Sequence, residues 1–291
     1  DLYVTAEAGC TWAALDAALA QHGLRATFWG PMSGAMSTLG GALSQGAATF
    51  GSGRHGTSAN AVLAVEVVLG DASVLRTGLA DAPHAAPSFR HYGPDLTGLF
   101  TGDAGALGIK TAVTLQLEPR PGAGAGLSFG FDDFDALRRA VGGVARAGLA
   151  SEIFGVESDL ARLAAGDAGI EAGIRALWAV GKAQGGALQA VARMTRMAAA
   201  GRGFMSSSAW MVNFLVEGED AAMLQRRIES IRRIATAGGS ELAPTMADVV
   251  RATPFPQPMV LGPGGRRLLP LHAVLPQSRV LAFHEAMLAL R

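Results

Sequence analysis

The stretch GPMSGAMSTLGGALSQGAATFGSGRHG, residues 30–56, contains eight glycines and many other small residues but almost no charge. A packed core requires larger side chains, and a disordered linker would carry fewer apolar ones. Glycine lets the main chain approach a flat ligand because no Cβ stands in the way, and its N–H groups can meet phosphate or carbonyl oxygens. A second glycine-rich loop lies at residues 102–109. Together the loops predict the wall of one extended cofactor site, although the pattern alone also fits ordinary tight turns.

Composition narrows the class of protein. The chain has 291 residues, 49% hydrophobic and 16% charged, which is enough apolar material for two folded domains. Lys+Arg and Asp+Glu both number 24, and zero net charge argues against nucleic acid or an anionic membrane surface as the main partner. Cys10 is the single cysteine, which excludes an intramolecular disulfide and a cysteine metal site and fits a cytoplasmic location. No run of about 20 uncharged apolar residues occurs, so we expect no membrane span.

Patterns along the chain predict an α+β protein in two parts. A strand at 2–6, a helix capped by Thr11 and a hairpin at 62–76 precede the segment PRPGAGAG, residues 119–126, which indicates a linker. Beyond it, two strand–helix–strand units flank a helical stretch at about 160–200. The second unit ends in a strand at 267–275, and a helix from Arg279 follows. We therefore expect one domain over 1–121 and a second, ferredoxin-like domain with helices on one face of a sheet over 127–291.

The segment GSGRHG, residues 51–56, fits the pattern G-x-G-x-x-G that marks dinucleotide-binding loops. That fingerprint requires a strand before it, a helix opening on it and an acidic residue about 20 positions later. Here a strand follows, and the nearest acidic residue is Glu66. The sequence therefore argues against a Rossmann-type site.

Three segments, in their order and spacing, carry a resemblance to a known family. They are PMSGAMSTLGGALSQGAATFGSGRHGT from residue 31, VLAVEVVLGDASVL from residue 62 and YGPDLTGLFTGDAGALGIKTAVTLQL from residue 92. This order resembles the FAD-linked oxidase family with the vanillyl-alcohol-oxidase, or PCMH-type, FAD domain. Within it, the chain most resembles the D-lactate dehydrogenase and glycolate oxidase D-subunit group. The resemblance is strong over 1–121 and looser over 127–291, which corresponds to the substrate cap domain.

The resemblance implies FAD as the cofactor and assigns residues to it. In the family the S-T-L-G-G segment lies along the flavin, the G-x-x-G-x-L-G-I segment touches FAD, and the turn RHGT matches a family R-Y-G-T with His55 in place of the aromatic residue. No metal ligand is assigned. The implied FAD-binding residues are Pro31, Ser33, Gly34, Ser37, Thr38, Gly40, Gly41, Gly53, His55, Gly56, Gly105, Gly108 and Ile109.

The implied activity is FAD-dependent oxidation of a small 2-hydroxy acid, such as D-lactate or glycolate, by hydride transfer to the flavin and then to an unidentified electron acceptor. Two alternatives stay open: oxidation of another alcohol, phenolic or sugar, on the same fold, and a non-catalytic FAD-fold subunit of an oxidase complex. Preservation of Ser37, Thr38 and the glycine pair after them argues against the second.

Two residues of the second part are candidates for the chemistry. Arg251 lies roughly where relatives place an arginine for the substrate carboxylate, and a guanidinium binds a carboxylate through two parallel hydrogen bonds. A solvated arginine at a helix end explains it equally well. His272, on an apolar strand, is the candidate acceptor of the substrate hydroxyl proton, although a satisfied core histidine is the commoner fate.

The family pattern also contains a lobe upstream of residue 1, whose glycine-rich loop binds the FAD pyrophosphate, and a later segment with histidines near the flavin. We therefore expect the chain to be cut at both ends. The 291 residues alone are expected to hold FAD weakly and to be inactive.

Overall fold

The computed structural model describes residues 1–82, 85–91, 93–158, 208–252, 255 and 273–290. The chain divides into a first unit over Asp1–Arg120, to which Phe255 also belongs, and a second unit with the rest of the described residues. Each unit has its own hydrophobic core and combines helices with antiparallel strands, so the predicted α+β class is confirmed.

The sheet of the first unit is organised around its longest strand. In spatial order it runs β1-β5-β3-β4, and β2 also pairs with β5, so β5 has three antiparallel partners. The strands are β1 (Tyr3–Glu7), β2 (Leu24–Ala26), β3 (Val62–Val68), β4 (Val74–Arg76) and β5 (Ile109–Pro119).

Short helices with identifiable caps surround this sheet. The Thr11 side chain accepts a hydrogen bond from the amide of Ala14, and Asp95 caps the turn before Phe100 in the same way. The first helix buries Trp12, Leu15 and Leu19 in the core of this unit. The helices are α1 (Trp12–Ala20), α2 (Leu39–Ser44), α3 (Ser52–His55), α4 (Ser58–Ala61) and α5 (Leu96–Leu99).

Among its described residues, the second unit has strand order β7-β8-β6-β9, with every pair antiparallel. With one helix after β6 and one after β8, this is the βαββαβ arrangement predicted as ferredoxin-like. Its elements are β6 (Ala123–Phe131), α6 (Phe134–Arg146), β7 (Glu152–Glu157), β8 (Trp210–Gly218), α7 (Ala221–Ala235), β9 (Ser240–Leu242), α8 (Thr245–Ala252) and α9 (Val280–Leu288).

Strand β6 corrects the predicted extent of the linker. The glycine-rich segment was expected to be flexible to residue 126, yet β6 begins at Ala123 and pairs with β8 from its first residue. Leu127, Phe129 and Phe131 pack into the core with α6 and α7, while a Cβ on Gly126 would lie 2.7 Å from the Cβ of Ala247 in α8. Glycine is therefore required on one face of this strand because a helix lies against it.

The fourth strand of the described sheet, β9, also differs from the prediction, which placed a strand at 267–275. Residues 273–275 have no regular structure, and 267–272 lie outside the described residues, as does the helical stretch predicted at about 160–200. The helix predicted from Arg279 is present as α9. Within the described residues, no helix is both long enough and apolar enough to cross a bilayer.

A buried hydroxyl pair gives a test of the first unit. The hydroxyls of Thr77 and Thr97 lie 2.7 Å apart, and Thr77 Oγ1 also accepts the amide of Val65 at 2.9 Å. Replacing Thr77 with Val leaves this amide without its acceptor, so Thr77→Val should lower the free energy of unfolding by about 1–3 kcal/mol. Urea denaturation measures the change.

Thr5→Val is the matched control, since the Thr5 and Thr114 hydroxyls form a comparable pair at 2.8 Å but Thr5 is exposed. Water can replace the bond there, and the loss should stay below about 1 kcal/mol. Equal losses in both variants would show that burial of the Thr77 pair has no special effect.

Candidate functional site

The structure brings the two glycine-rich loops together. We call residues 30–56 the first glycine loop and residues 102–109 the second glycine loop. The amides of Gly102 and Ala104 donate to the carbonyls of Leu43 and Ser44 at 2.8 and 2.9 Å. The second glycine loop therefore caps the carboxyl end of α2, which is part of the first.

Most backbone donors of these loops are used inside the protein. In the first glycine loop, Gly34 donates to Pro31, and Gly40 donates to Ala8 of the strand end beside it. The sequence argument allowed the amides of both loops to bind phosphate oxygens. Many of them instead donate hydrogen bonds to acceptors within the protein: the amides of Gly34, Met36, Ser37, Leu39, Gly40, Gly41, Gly102, Ala104, Gly105 and Ala106. The loops therefore offer surface for van der Waals contact rather than a row of donors for an anion.

Three of the glycines assigned to FAD have an explanation in packing. A Cβ on Gly40 would lie 3.0 Å from the Cβ of Ala8, and one on Gly34 would overlap the ring of Phe255. Gly108 has φ of +152°, and its Cβ would lie 2.8 Å from the carbonyl oxygen of Val68. Packing therefore disfavours a side chain at these positions whether or not a cofactor is bound.

A second set of the assigned residues lies at the surface. Gly41 is exposed, and among the described residues a Cβ there would meet within 4 Å only the Thr38 hydroxyl, at 3.1 Å. No atom of the part of the chain that the structure describes lies within 4 Å of a Cβ position on Gly105, and Ile109 is 72% exposed although it begins the central strand. Exposed glycine backbone and an exposed apolar side chain each suit contact with the flat ring system of FAD rather than with its pyrophosphate.

The remaining residues assigned in the first glycine loop have mixed surroundings. Thr38 caps α2 through its hydroxyl, which accepts from the amide of Gly41 at 3.2 Å. Gly56 has φ of +80°, and a Cβ there would collide with the side chain of Asn60. Ser33 and Gly53 are exposed, and Pro31 and Ser37 are half-buried. Their contacts with FAD stay a prediction.

His55 belongs to a cluster of charges that the sequence did not indicate. Its Nε2 lies 3.2 Å from Glu118 Oε2 at the end of β5, without the alignment of a hydrogen bond. Glu118 is also held by Arg25, whose Nε and Nη2 lie 2.8 and 2.7 Å from Oε1, and Arg25 in turn stacks on Trp29. Arg25 and Glu118 face each other across paired strands β2 and β5.

The charge state of Glu118 follows from this cluster. Burial raises the pKa of the Glu118 carboxyl, but the contact with His55 and the charge and hydrogen bonds of Arg25 outweigh burial and leave the pKa below its ordinary value. The ionised carboxylate therefore ties the RHGT turn to the central strand. A strand-end glutamate opposite an arginine becomes recognisable only once the pairing of β2 with β5 is known.

Of the two residues of the second unit predicted to take part in the chemistry, the structure describes Arg251 but not His272. Arg251 lies in the last turn of α8, half-buried, where a Cβ on Gly124 of β6 would come within 3.3 Å of its Nη1. Glycine at position 124 therefore leaves room for the guanidinium beside the sheet. His272 lies outside the described residues.

Comparison with known proteins identifies the class to which this geometry belongs. Residues 1–78 match the family model described as FAD binding domain. The known proteins with which this chain shares sequence include FAD-linked oxidoreductases. Its fold resembles that of p-cresol methylhydroxylase, with a TM-score of 0.58 and 18% identity over 87% of this chain and 48% of that chain. The predicted resemblance and FAD as the cofactor are thus confirmed.

Particular relatives make the class more specific. The chain is 34% identical over 140 residues, 48% of its length, to an FAD-linked oxidoreductase of Mycobacterium tuberculosis, covering 28% of that protein. It is 32% identical over 111 residues to the glycolate oxidase subunit GlcD of Bacillus subtilis, covering 38% of this chain and 22% of that one. It is 38% identical over 119 residues to a probable mitochondrial D-lactate dehydrogenase of Danio rerio, covering 40% and 22%. The chain thus spans less than a third of each of these relatives.

A solved structure extends the likeness of fold to both units. Alkyldihydroxyacetonephosphate synthase matches with a TM-score of 0.61 over 85% of this chain and 41% of that chain. The sequence identity is 16%, so this likeness concerns the fold alone.

Adjacent glycines separate packing from cofactor contact. Gly40→Ala should lower the free energy of unfolding by about 1–3 kcal/mol, because the added methyl is forced against Ala8. Gly41→Val should leave the unfolding midpoint nearly unchanged but lower the FAD content, because its side chain would project from the exposed loop surface. Denaturation and the flavin absorbance of the purified full-length protein measure the two effects. Full FAD occupancy in Gly41→Val would contradict the assignment of Gly41 to the flavin.

The Glu118 cluster predicts a pH dependence of stability. Because folding lowers the pKa of Glu118, its stabilisation is complete above the ordinary glutamate pKa of about 4.3 and is lost as the pH falls through the folded value. At pH 7, Glu118→Gln should cost about 1.5–3 kcal/mol, the size of hydrogen bonds to a charged group. Near pH 3 the difference from wild type should shrink, since Glu118 of the unfolded chain, with its ordinary pKa, takes up a proton before the folded protein does.

Urea unfolding at both pH values provides the measurement. Glu66→Gln is the control, because Glu66 pairs with Arg76 at the surface, with side chains 30% and 49% exposed, and should cost less than about 1 kcal/mol. The same loss for Glu118→Gln at pH 7 and pH 3 would show that charge is not what holds the cluster.

Proposed function

We propose that the protein is an FAD-dependent oxidoreductase that oxidises a small 2-hydroxy acid of the D-lactate or glycolate type. The observation that carries this proposal is the identity of 32% to a glycolate oxidase subunit and 38% to a D-lactate dehydrogenase. FAD, when bound, supplies the acceptor for the hydride that leaves the carbon bearing the substrate hydroxyl. The chain's own residues would bind FAD and the hydroxy acid and orient them toward each other.

The first unit would hold the ring system of FAD. The exposed backbone at Gly41 and Gly105 and the apolar side chain of Ile109 offer a surface on which a flat ring can lie without displacing a side chain. Such contact excludes water from one side of the ring. In this proposal residues 1–121 form the FAD-binding domain and residues 127–291 the substrate cap domain.

The second unit would supply the group that recognises the acid. Arg251 stays charged at all physiological pH values, and its planar fork matches a carboxylate. Its half-buried place beside Gly124 supports this role, because a partly desolvated guanidinium binds an anion more strongly than one in free solvent. We keep His272 as the proposed acceptor of the hydroxyl proton, on the sequence argument alone, and propose a cytoplasmic location.

Anaerobic mixing of the full-length protein with D-lactate or glycolate, followed by flavin absorbance near 450 nm, tests the proposed activity. Bleaching by either acid supports it. Bleaching only by a phenolic or sugar alcohol would replace it with the first alternative, and a colourless protein would favour a non-catalytic subunit.

Arg251→Lys tests the recognition of the acid. Loss of a bidentate, charged contact costs about 1.5–3 kcal/mol, so kcat/KM for hydroxy acids should fall by about 10-fold to 150-fold. A diol of similar size without a carboxylate should be oxidised at an unchanged rate. Steady-state kinetics on both substrate classes decide the question.

The matched control is Arg232→Lys, on the outer surface of α7, where Arg232 pairs with Glu241 at 2.8 Å and is 45% exposed. This variant should leave both substrate classes unaffected. A loss in Arg251→Lys that is equal for the acid and the diol would indicate that Arg251 supports the structure of the second unit instead.

A further inference from the structure

Lys110 occupies an unusual place for a lysine. It is the second residue of β5, its side chain is only 3% exposed, and the residue before it, Ile109, is 72% exposed. Successive side chains of a strand point to opposite faces. Because the Lys110 side chain points into the protein, the side chain of Ile109 points outward, and Ile109 is one of the residues assigned to FAD.

The ammonium group of Lys110 joins three segments. Its Nζ donates to Ser44 Oγ at 2.8 Å and to Asp103 Oδ1 at 2.8 Å. Ser44 is the last residue of α2 in the first glycine loop, and Asp103 is in the second. Asp103 Oδ1 also accepts the amide of Gly105 at 3.2 Å, so this one oxygen fixes both the lysine and the glycine backbone.

Asp103 depends on this partner. Its side chain is 2% exposed, and among the described residues its Oδ2 has no hydrogen-bond partner. Burial raises the pKa of Asp103, and the hydrogen bond and charge of Lys110, with amides of the loop, outweigh burial and lower it. Without Lys110, a buried carboxylate would lack a compensating charge, and that is a strongly unfavourable state.

We propose that Lys110, Asp103 and Ser44 form a latch that positions both glycine loops for the flavin, with Lys110 as the positioning residue. This inference rests on the proposed flavin surface at Gly41, Gly105 and Ile109. The latch acts through placement: it fixes the second glycine loop on α2 and fixes the direction in which Ile109 points. Neither charge is required to touch the cofactor.

The experiment is a double-mutant cycle in the full-length protein, with Lys110→Met, Asp103→Asn and the double variant. Methionine keeps the length of the lysine stem without its charge, and asparagine keeps the shape of aspartate. FAD is removed and titrated back at a temperature where every variant is folded, and the dissociation constant and visible flavin spectrum are recorded. Leu19→Ala, which creates a cavity under α1, is the control for general destabilisation.

The latch predicts that each single variant raises the Kd for FAD at least 10-fold and alters the visible band of the bound flavin. The double variant should bind better than the product of the single effects implies, because neither buried charge is then left alone. Leu19→Ala should lower the unfolding midpoint while Kd changes less than twofold.

Two results would overturn the latch. One is an unchanged Kd and spectrum in Lys110→Met when wild type binds FAD, and the other is a change no larger than in Leu19→Ala. Failure of the wild-type protein to take up FAD would instead contradict the proposed flavin surface itself. The latch and the surface on which it rests are therefore tested separately.

Discussion

The pairing of strand β5 with three neighbours is the constraint on which the first unit depends. These pairings provide hydrogen-bond partners for the backbone on both edges of β5 and fix the register of its residues against the neighbouring strands. Near one end Glu118 meets Arg25 and His55, and near the other Lys110 meets Asp103 and Ser44. Both glycine loops are therefore located relative to the same strand, and each is held to it by a charged side chain.

Only 16% of the residues are charged, yet the first unit largely buries two ion pairs, Arg25–Glu118 and Lys110–Asp103. Removing ions from water costs free energy, and although the partners of Glu118 and Asp103 outweigh that cost, a well-packed apolar pair is often just as stable. The effect of these ion pairs is one of position. An ion pair with fixed geometry permits one arrangement of a flexible loop, whereas apolar contacts would tolerate several. Glycine-rich segments need such a constraint because their backbone is otherwise free to adopt many conformations.

Local signals in the sequence predicted the elements well where the decisive interaction is itself local. Thr11, Asp95 and Asp133 cap helices within three residues of their own positions, and the apolar residues of β3 and β7 are visible in the sequence without any partner. The strands β2 and β9 were not predicted, since three residues carry almost no periodic pattern. The start of β6 was missed because the propensity of its glycines favours a flexible linker.

The sequence by itself determined the class of each unit, the cofactor and the two loops that carry the glycines, because motif order and spacing are properties of the chain alone. Only the tertiary structure decided what each glycine does. Gly40 and Gly108 are glycines because Ala8 and Val68 lie against them, while Gly41 and Gly105 face outward. It also decided that Lys110 and Glu118 are held by partners from other segments. The physical reason is that burial and charge compensation depend on contacts between residues distant in sequence.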